Sequence, residues 1–256
     1  MVYGGQFGPP EPVANEGKVS LSFGYFHFSG ILKPENGNLL VRRHELEQNQ
    51  IYLQASYGFL EGWEAYLRVG ISDLKVNNAL PLAGFFPLIH DFKDGFGPFG
   101  TFGVKGLLYE WSIFGIGSFF QASMFPSYKD ETSYIVDPAA CPAPPCPLIP
   151  VEERSDNLKV KRPWDVNLGL GLQSRIHGIT LYGGPFVYWT GYRAEFQSKL
   201  FGSPRFTDQT HYREKNNFGG FVGLKVPLPW VEGLHAEAEG QFRNKSSGGI
   251  SLNYLF

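Results

Sequence analysis

The stretch Gly248-Gly249-Ile250-Ser251-Leu252-Asn253-Tyr254-Leu255-Phe256 decides the fold of this chain. Large apolar residues recur in it at every second position, namely Ile250, Leu252, Tyr254 and Phe256. A period of two places these residues on one face of a β-strand. In water, a hydrophobic strand with aromatic residues at its end is an edge prone to aggregation. In a membrane, the same strand can close a β-barrel, with its aromatic side chains at the interface.

The same stretch resembles the C-terminal strand of bacterial outer-membrane β-barrels, which typically ends on Phe with apolar residues at alternate preceding positions. The resemblance implies an all-β, antiparallel, up-and-down transmembrane barrel in the bacterial outer membrane, surrounded by lipid. It covers only the closing strand and points to no particular family of barrels. A soluble β-sandwich is the alternative that the strand pattern leaves open.

The composition agrees with a chain that crosses a membrane with strands. Aromatic residues make up 16 % of the 256 residues and charged residues only 18 %, below the roughly 25 % usual in globular domains. No apolar run approaches the about 18 residues that indicate a transmembrane helix. The net charge is −2 and no basic patch with interleaved aromatic residues occurs, so nucleic acid is not expected as a partner.

Alternating segments divide residues 17–256 into ten predicted strands, with eight and twelve as the alternatives. Residues 1–16 are rich in glycine and proline and are expected to form a flexible periplasmic segment. Single-chain bacterial barrels have an even number of strands, so both ends of this barrel are expected on the periplasmic side. The long connections then face outward, and they are predicted at residues 31–48, 76–97, 125–159 and 194–215.

Aromatic residues fall near the predicted ends of the strands, where membrane barrels carry two aromatic girdles. The predicted girdle residues are Trp63, Trp111, Trp230, Tyr254 and Phe256 at the periplasmic rim, with Trp164 and Trp189 at the outer rim.

Charged residues occur on the predicted inward face of several strands. The predicted lumen-lining set is His235, Glu237, Glu239 and Arg243 on one strand, with Arg68, Lys105, Asp165 and Lys225 on facing strands. Two carboxylates two residues apart can carry out general acid–base chemistry. In a narrow barrel the same residues form a ladder of paired charges, because buried charges need partners. Of these two interpretations, we expect the ladder of paired charges.

No arrangement of known catalytic type supports an enzyme. Ten-stranded outer-membrane proteases of the omptin family carry an Asp-x-Asp pair and an Asp-x-His pair at the outer rim, and neither pair occurs here. His90-Asp91 lies in a predicted loop, and no His-x-Ser arrangement like that of the outer-membrane phospholipase is evident. The histidines show no ligand spacing, so neither a metal nor another cofactor is expected.

Cys141 and Cys146 lie in a proline-rich part of the third long connection. A disulfide is expected between them, because the cell surface and the periplasm are oxidising. Metal binding is disfavoured, since two thiolates without a nearby histidine make an incomplete site.

The predicted inward face also carries many glycines, including Gly58, Gly103, Gly117, Gly171 and Gly223. They either leave room for a water path or permit tight curvature of the wall. Barrels of eight strands are filled by side chains and those of 16 or more are open. Ten strands lie near the filled end, so a wide pore is not expected.

Three functions remain open at this point. A narrow channel for small solutes is slightly favoured. The alternatives are a plugged structural barrel that binds a protein or surface through its outer loops, and a hydrolase at the outer rim. Fold alone does not decide among them.

Overall fold

The computed structural model describes residues 6–34, 44–77, 92–136, 152–200, 203–213 and 217–256, which form an all-β protein. The strands are β1 (Val19–Pro34), β2 (His44–Leu60), β3 (Trp63–Asn77), β4 (Phe92–Trp111), β5 (Phe114–Met124), β6 (Tyr128–Val136), β7 (Glu152–Ile176), β8 (Ile179–Leu200), β9 (Ser203–Arg213), β10 (Phe218–Pro227), β11 (Leu234–Phe242) and β12 (Ser246–Leu255). Within these ranges there is no helix long and apolar enough to cross a membrane.

The last strand closes the barrel against the first. β12 pairs with β11 on one side and with β1 on the other, from Ser20 opposite Leu255 to His27 opposite Gly248. Ten strands make up the closed antiparallel wall, namely β1–β5, β7, β8 and β10–β12. The predicted ten-stranded up-and-down barrel and the closing role of the C-terminal stretch are therefore confirmed.

The alternation in the sequence separates the two faces of this wall. On β2 and β3, Leu53 and Leu67 are exposed at 61 % and 57 %, whereas their inward neighbours Gln50 and Arg68 are buried. An exterior of exposed aliphatic and aromatic side chains around a closed hydrogen-bonded wall is the surface of a transmembrane barrel. The protein accordingly spans the bacterial outer membrane.

The strands β6 and β9 lie outside the ten-stranded wall, in two of the predicted long connections. β6 pairs with residues 152–160 of β7, and β9 pairs with residues 191–200 of β8. We call β6, β9 and these two strand ends the outer collar. The strands β7 and β8 have 25 and 22 residues, well beyond the about 9–11 that cross a membrane.

Strand structure thus extends into all four segments that the sequence predicted as long connections, and the predicted connections were too wide. Outside the hydrocarbon layer the outward face needs no apolar residues, so the period-two signal fades although the strand continues. A β-bulge between Lys161 and Trp164, with Arg162 at a φ of 48°, marks the change along β7.

Side chains join the strands where the ladder of the wall is interrupted. On β1, the Ile31 N–H donates to Asn244 Oδ1 at 3.0 Å and the Asn244 amide donates to the Ile31 carbonyl at 2.7 Å. Between β4 and β6, Lys93 N–H donates to Asp130 and Lys129 N–H donates to Asp94. These bonds satisfy backbone groups at strand edges that would otherwise remain unpaired.

The N-terminal segment does not lie below the barrel as the sequence predicted. Residues 6–14 are inside the lumen, and Glu16 forms an isolated bridge with Gly58 of β2. A Cβ at Gly58 would come within 2.1 Å of the Asn15 carbonyl oxygen, so this glycine lets the segment enter against the wall. The polar groups of these residues and the ring of Phe7 find partners on the wall instead.

The structure does not test several other sequence predictions. Cys141, Cys146, His90 and Asp91 all lie outside the described residues, so the expected disulfide stays a prediction. Trp111, Trp164, Trp189, Trp230, Tyr254 and Phe256 are exposed on the barrel surface, while Trp63 is partly covered. Their role as girdles stays a prediction as well.

The substitution Leu53→Arg tests the assignment of the outer face. It is expected to lower the free energy of unfolding by about 2–4 kcal/mol, the cost of an arginine at the bilayer midplane. Chemical unfolding in lipid vesicles measures this change. Phe96→Arg is the matched control, because Phe96 is exposed to a similar extent at the level of the collar and is expected to cost about 0–1 kcal/mol. Equal effects at both positions would contradict the assignment.

Candidate functional site

Charged side chains meet inside the periplasmic half of the barrel. The buried members of this group, which we call the charged wall, are Glu64, Arg68, Lys105, Lys225, Glu237 and Glu239. All but Glu64 were predicted as lumen-lining residues. Glu64 lies on β3, and Lys105 of β4 is directly opposite it in the register.

The expected ladder of charges is only partly formed by the wall itself. Lys105 Nζ lies 3.4 Å from Glu64 Oε1, and both side chains are almost fully buried. Lys225 is opposite Glu237 in the register of β10 and β11. Arg68 instead donates to Gln54 at 2.8 Å and lies over the ring of Tyr52 at 4.2 Å.

Residues 6–8 complete the hydrogen bonding of Glu237 and Glu239. Glu239 accepts from the N–H of Phe7 at 3.0 Å and from the N–H of Gly8 at 2.9 Å. The Gln6 side-chain amide donates to Glu237 at 2.6 Å. The Arg68 guanidinium donates to the Gln6 carbonyl at 2.8 Å, so wall charges of both signs hold this part of the segment.

A second carboxylate binds the other end of the segment in the same way. Glu64 Oε2 accepts from the consecutive N–H groups of Val13 at 2.7 Å and Ala14 at 2.9 Å. Between the two anchors, the Glu11 N–H donates to Gln173 at 2.9 Å, and the Glu11 carboxylate forms an ion pair with Arg175. The segment 6–14, which we call the plug, therefore bonds to the wall along its whole length.

An aromatic box receives the one large side chain at the start of the plug. The Phe7 ring stacks on Phe119 with centroids 4.2 Å apart. It meets Phe186 and Phe221 edge-on at 5.0 Å and 5.4 Å. Phe7 is only 3 % exposed, so this contact adds apolar burial to the polar bonds of the plug.

Gly8 is required at its position by conformation and by space. Its φ is +77°, a region that residues with a side chain rarely adopt. A Cβ there would lie 2.7 Å from Lys105 Nζ and 3.1 Å from Glu237 Oε1. The plug can therefore present its N–H groups to Glu239 only because residue 8 has no side chain.

The inward glycines make room for the plug and for aromatic rings. A Cβ at Gly117 or Gly171 would come within 2.6 Å or 2.5 Å of Pro10. A Cβ at Gly103 or Gly223 would come within 2.1 Å of a tyrosine ring that lies along the wall, that of Tyr66 or Tyr182. The water path that these glycines suggested is thus filled.

Little space remains beside the plug. A cavity bounded by Gln6, Arg68, Lys105 and Asn253, among others, holds about 20 Å³. This volume accommodates roughly one water molecule, because a single water needs on the order of 10–15 Å³ of such space. The periplasmic half of the lumen is closed to solutes in this state.

The remaining predicted charges lie elsewhere in the lumen. Arg243 pairs with Asp165 at 3.2 Å, donates to Asn167 at 2.7 Å and lies 4.3 Å from the ring centroid of Tyr188. His235 is half-buried at the start of β11, with Nδ1 3.1 Å from the Gly233 carbonyl oxygen. The structure therefore separates Arg243 and Asp165 from the charged wall.

Apolar side chains fill the outer half of the lumen. This outer core consists of Phe26, Phe28, Leu46, Tyr52, Leu74, Val76, Phe92, Phe99, Phe125, Tyr128, Val160, Tyr192 and Tyr212. Tyr128 brings a hydroxyl to its centre, 2.6 Å from the Ser72 hydroxyl. The outer core fills the lumen within the collar and in the adjoining part of the wall.

No grouping of catalytic or metal-binding type emerges around these charges. In the part of the chain that the structure describes, no three His, Cys, Asp or Glu side chains are placed to hold a metal ion. Glu237 and Glu239 do approach one another, and the Tyr182 hydroxyl lies 3.0 Å and 3.3 Å from them. Their other partners are main-chain N–H groups and the Gln6 amide of the plug, together with the amides of Gln241 and Asn253 on the wall. The pair therefore serves here to bind main-chain and side-chain amides.

Comparisons with known proteins show a likeness in overall form only. No protein-family model and no curated protein matches the chain. Its structure is similar to the translocator domain of autotransporter NalP from Neisseria meningitidis, at 10 % identity and a TM-score of 0.44, with 94 % of this chain and 90 % of that chain covered.

Two further solved structures show the same limited likeness. Outer membrane protein AlkL is 9 % identical with a TM-score of 0.43, covering 99 % and 96 % of the two chains. Outer membrane protein OprG from Pseudomonas aeruginosa is 10 % identical with a TM-score of 0.32, covering 95 % and 98 %. Likeness at this level does not identify a function.

Phe7→Ala tests how the plug is held. Loss of the aromatic contact is expected to lower the local stability of residues 6–14 by about 3 kcal/mol, in the range for buried Phe→Ala changes. Hydrogen–deuterium exchange should then become on the order of 100-fold faster in the plug, while the barrel strands stay protected. Asn15→Ala, at an exposed position, is the control and should leave exchange in the plug unchanged. Uniformly faster exchange over the whole barrel would contradict a separable plug.

Proposed function

We propose that this outer-membrane barrel is a narrow channel for small solutes whose periplasmic entrance is closed by residues 6–14. One observation carries the proposal. The wall carboxylates Glu64 and Glu239 bind the N–H groups of a segment that is not part of the wall. The lumen is therefore a charged passage with a removable occupant.

The contrast between the two halves of the lumen supports this function. The outer core shows that this barrel can be filled with apolar side chains. The periplasmic half instead carries the charged wall, although buried charges cost free energy that apolar packing would avoid. A charged lining is suited to a state in which water replaces the plug.

The plug can leave without opening the wall. It contributes no strand to the closed ladder, and its main bonds are to side chains of the wall rather than to wall backbone. Its departure would expose Glu64, Glu237 and Glu239 beside Arg68, Lys105 and Lys225. Because these charges balance, we expect weak selectivity between small anions and cations.

The outer core is the second constriction of the proposed channel. Hydrophobic constrictions control permeation by excluding water. Phe99 and Phe125 stack in parallel there, with centroids 5.0 Å apart. In the proposed channel, movement of these side chains admits solutes after the plug has left.

A closed barrel that acts through the outer collar is the second candidate. The observation that favours it is the outer core itself, which gives the collar side of the barrel its own apolar interior. In this alternative the packed lumen takes no part in transport, and the collar presents a rigid surface to a protein or surface partner.

Conductance in planar bilayers decides between the two candidates. We expect the wild-type protein to be closed for most of the recording. Full-length Phe7→Asp/Gly8→Val places a charge in the aromatic box and a β-branched residue at a positive φ, and should show frequent unitary steps. Asn15→Asp/Glu16→Val makes the same kinds of change at exposed positions and should behave as wild type. Silence of a correctly folded plug variant would favour the closed barrel.

Charge removal in the opened variant tests the lining. Glu237→Gln/Glu239→Gln on the Phe7→Asp/Gly8→Val background leaves Arg68, Lys105 and Lys225 facing a single carboxylate, Glu64. The reversal potential in a salt gradient should shift towards anion selectivity. Glu232→Gln/Glu110→Gln alters exposed carboxylates and should not shift it. An unchanged reversal potential in the lining variant would contradict a path along the charged wall.

A further inference from the structure

The plug is bound in the manner of a peptide ligand. Glu239 accepts two consecutive N–H groups at residues 7 and 8, and Glu64 accepts two more at residues 13 and 14. Arg68 binds the carbonyl of Gln6. Main-chain groups recur in any polypeptide, so these bonds recognise the backbone of a peptide that adopts the same bent conformation.

Three features of the same site recognise the side chains of the plug. The aromatic box of Phe119, Phe186 and Phe221 encloses the Phe7 ring. The positive φ of Gly8, +77°, disfavours a residue with a side chain at the next position, and a Cβ there would also crowd Lys105 and Glu237. Gln6 is held through its amide by Glu237, and the Tyr52 hydroxyl donates to its oxygen at 3.2 Å. The site therefore selects Gln-Phe-Gly.

Two prolines follow Gly8. The ring of each fixes its own φ angle, so Pro9 and Pro10 lower the entropy lost on binding. Pro10 lies against Gly117 and Gly171, two positions of the wall that have no side chain. A groove shaped for proline follows the box for phenylalanine.

We infer that the periplasmic half of the lumen is a binding site for a peptide of the form Gln-Phe-Gly-Pro-Pro, and that residues 6–14 are its built-in occupant. The site accepts the same sequence when it is carried by a separate polypeptide. The inference rests on the plug described under the proposed function, but not on conduction, because a peptide can bind in a barrel that never opens.

The test uses the full-length Phe7→Asp/Gly8→Val protein, whose own segment no longer fits, with a fluorescently labelled synthetic peptide of residues 4–16. Fluorescence polarisation in detergent micelles should show saturable binding. Wild-type protein should bind at least about 100-fold more weakly, because its tethered plug has an effective concentration in the mM range. The control Asn15→Asp/Glu16→Val protein should behave as wild type.

Peptide variants test which residues of the peptide the site recognises. Replacing the phenylalanine of the peptide by alanine should weaken binding by more than about 10-fold, and replacing the glycine by valine should abolish it. A scrambled peptide of the same composition should not bind. Equal binding of the wild-type and scrambled peptides to the folded variant would overturn the inference, whether or not the variant conducts.

A second measurement covers the case in which the plug variant does not fold. Unlabelled peptide at mM concentration, added to wild-type full-length protein, should displace the tethered plug from some of the molecules. Hydrogen–deuterium exchange of residues 6–14 should then become faster, and the scrambled peptide should have no such effect. Unchanged exchange at peptide concentrations of tens of mM would also overturn the inference.

Discussion

Closure of the hydrogen-bonded wall is the constraint on which the rest of this structure depends. In the hydrocarbon layer no water is available to backbone N–H and C=O groups, so each must find a partner within the wall. The pairing of β1 with β12 meets that requirement by joining the two ends of the sheet. Once the wall is closed, every second side chain points into a narrow lumen, and the nature of those side chains decides whether the lumen is open.

The lumen is divided between two ways of satisfying buried groups. The outer half contains mainly aromatic and aliphatic side chains, with few polar groups to satisfy. The periplasmic half contains charges that pair with one another only in part, and Glu64 and Glu239 each accept from two N–H groups of the plug. Buried carboxylates without donors are costly, so the wall and the plug stabilise each other. The same dependence underlies the peptide binding that we propose for this site.

The collar follows from what happens to the strands beyond the membrane. β7 and β8 continue past the wall, and β6 and β9 pair with their ends. Where pairs of strands part, Asn244, Asp94 and Asp130 supply side-chain bonds to free backbone groups. The outer part has a strand order different from that of the ten-stranded wall, and these bonds satisfy some of the backbone groups at its edges.

The sequence by itself determined the barrel, its strands in the membrane and the inward direction of residues such as Glu237 and Lys105. It could do so because the alternation has a period of two and lipid requires an apolar outer face. Only the tertiary structure decided the position of residues 6–14 and the outer collar. The plug bonds to residues as distant in sequence as Glu239, and no local pattern records such contacts. The collar strands lie outside the lipid, where the alternation that revealed the other strands is not required.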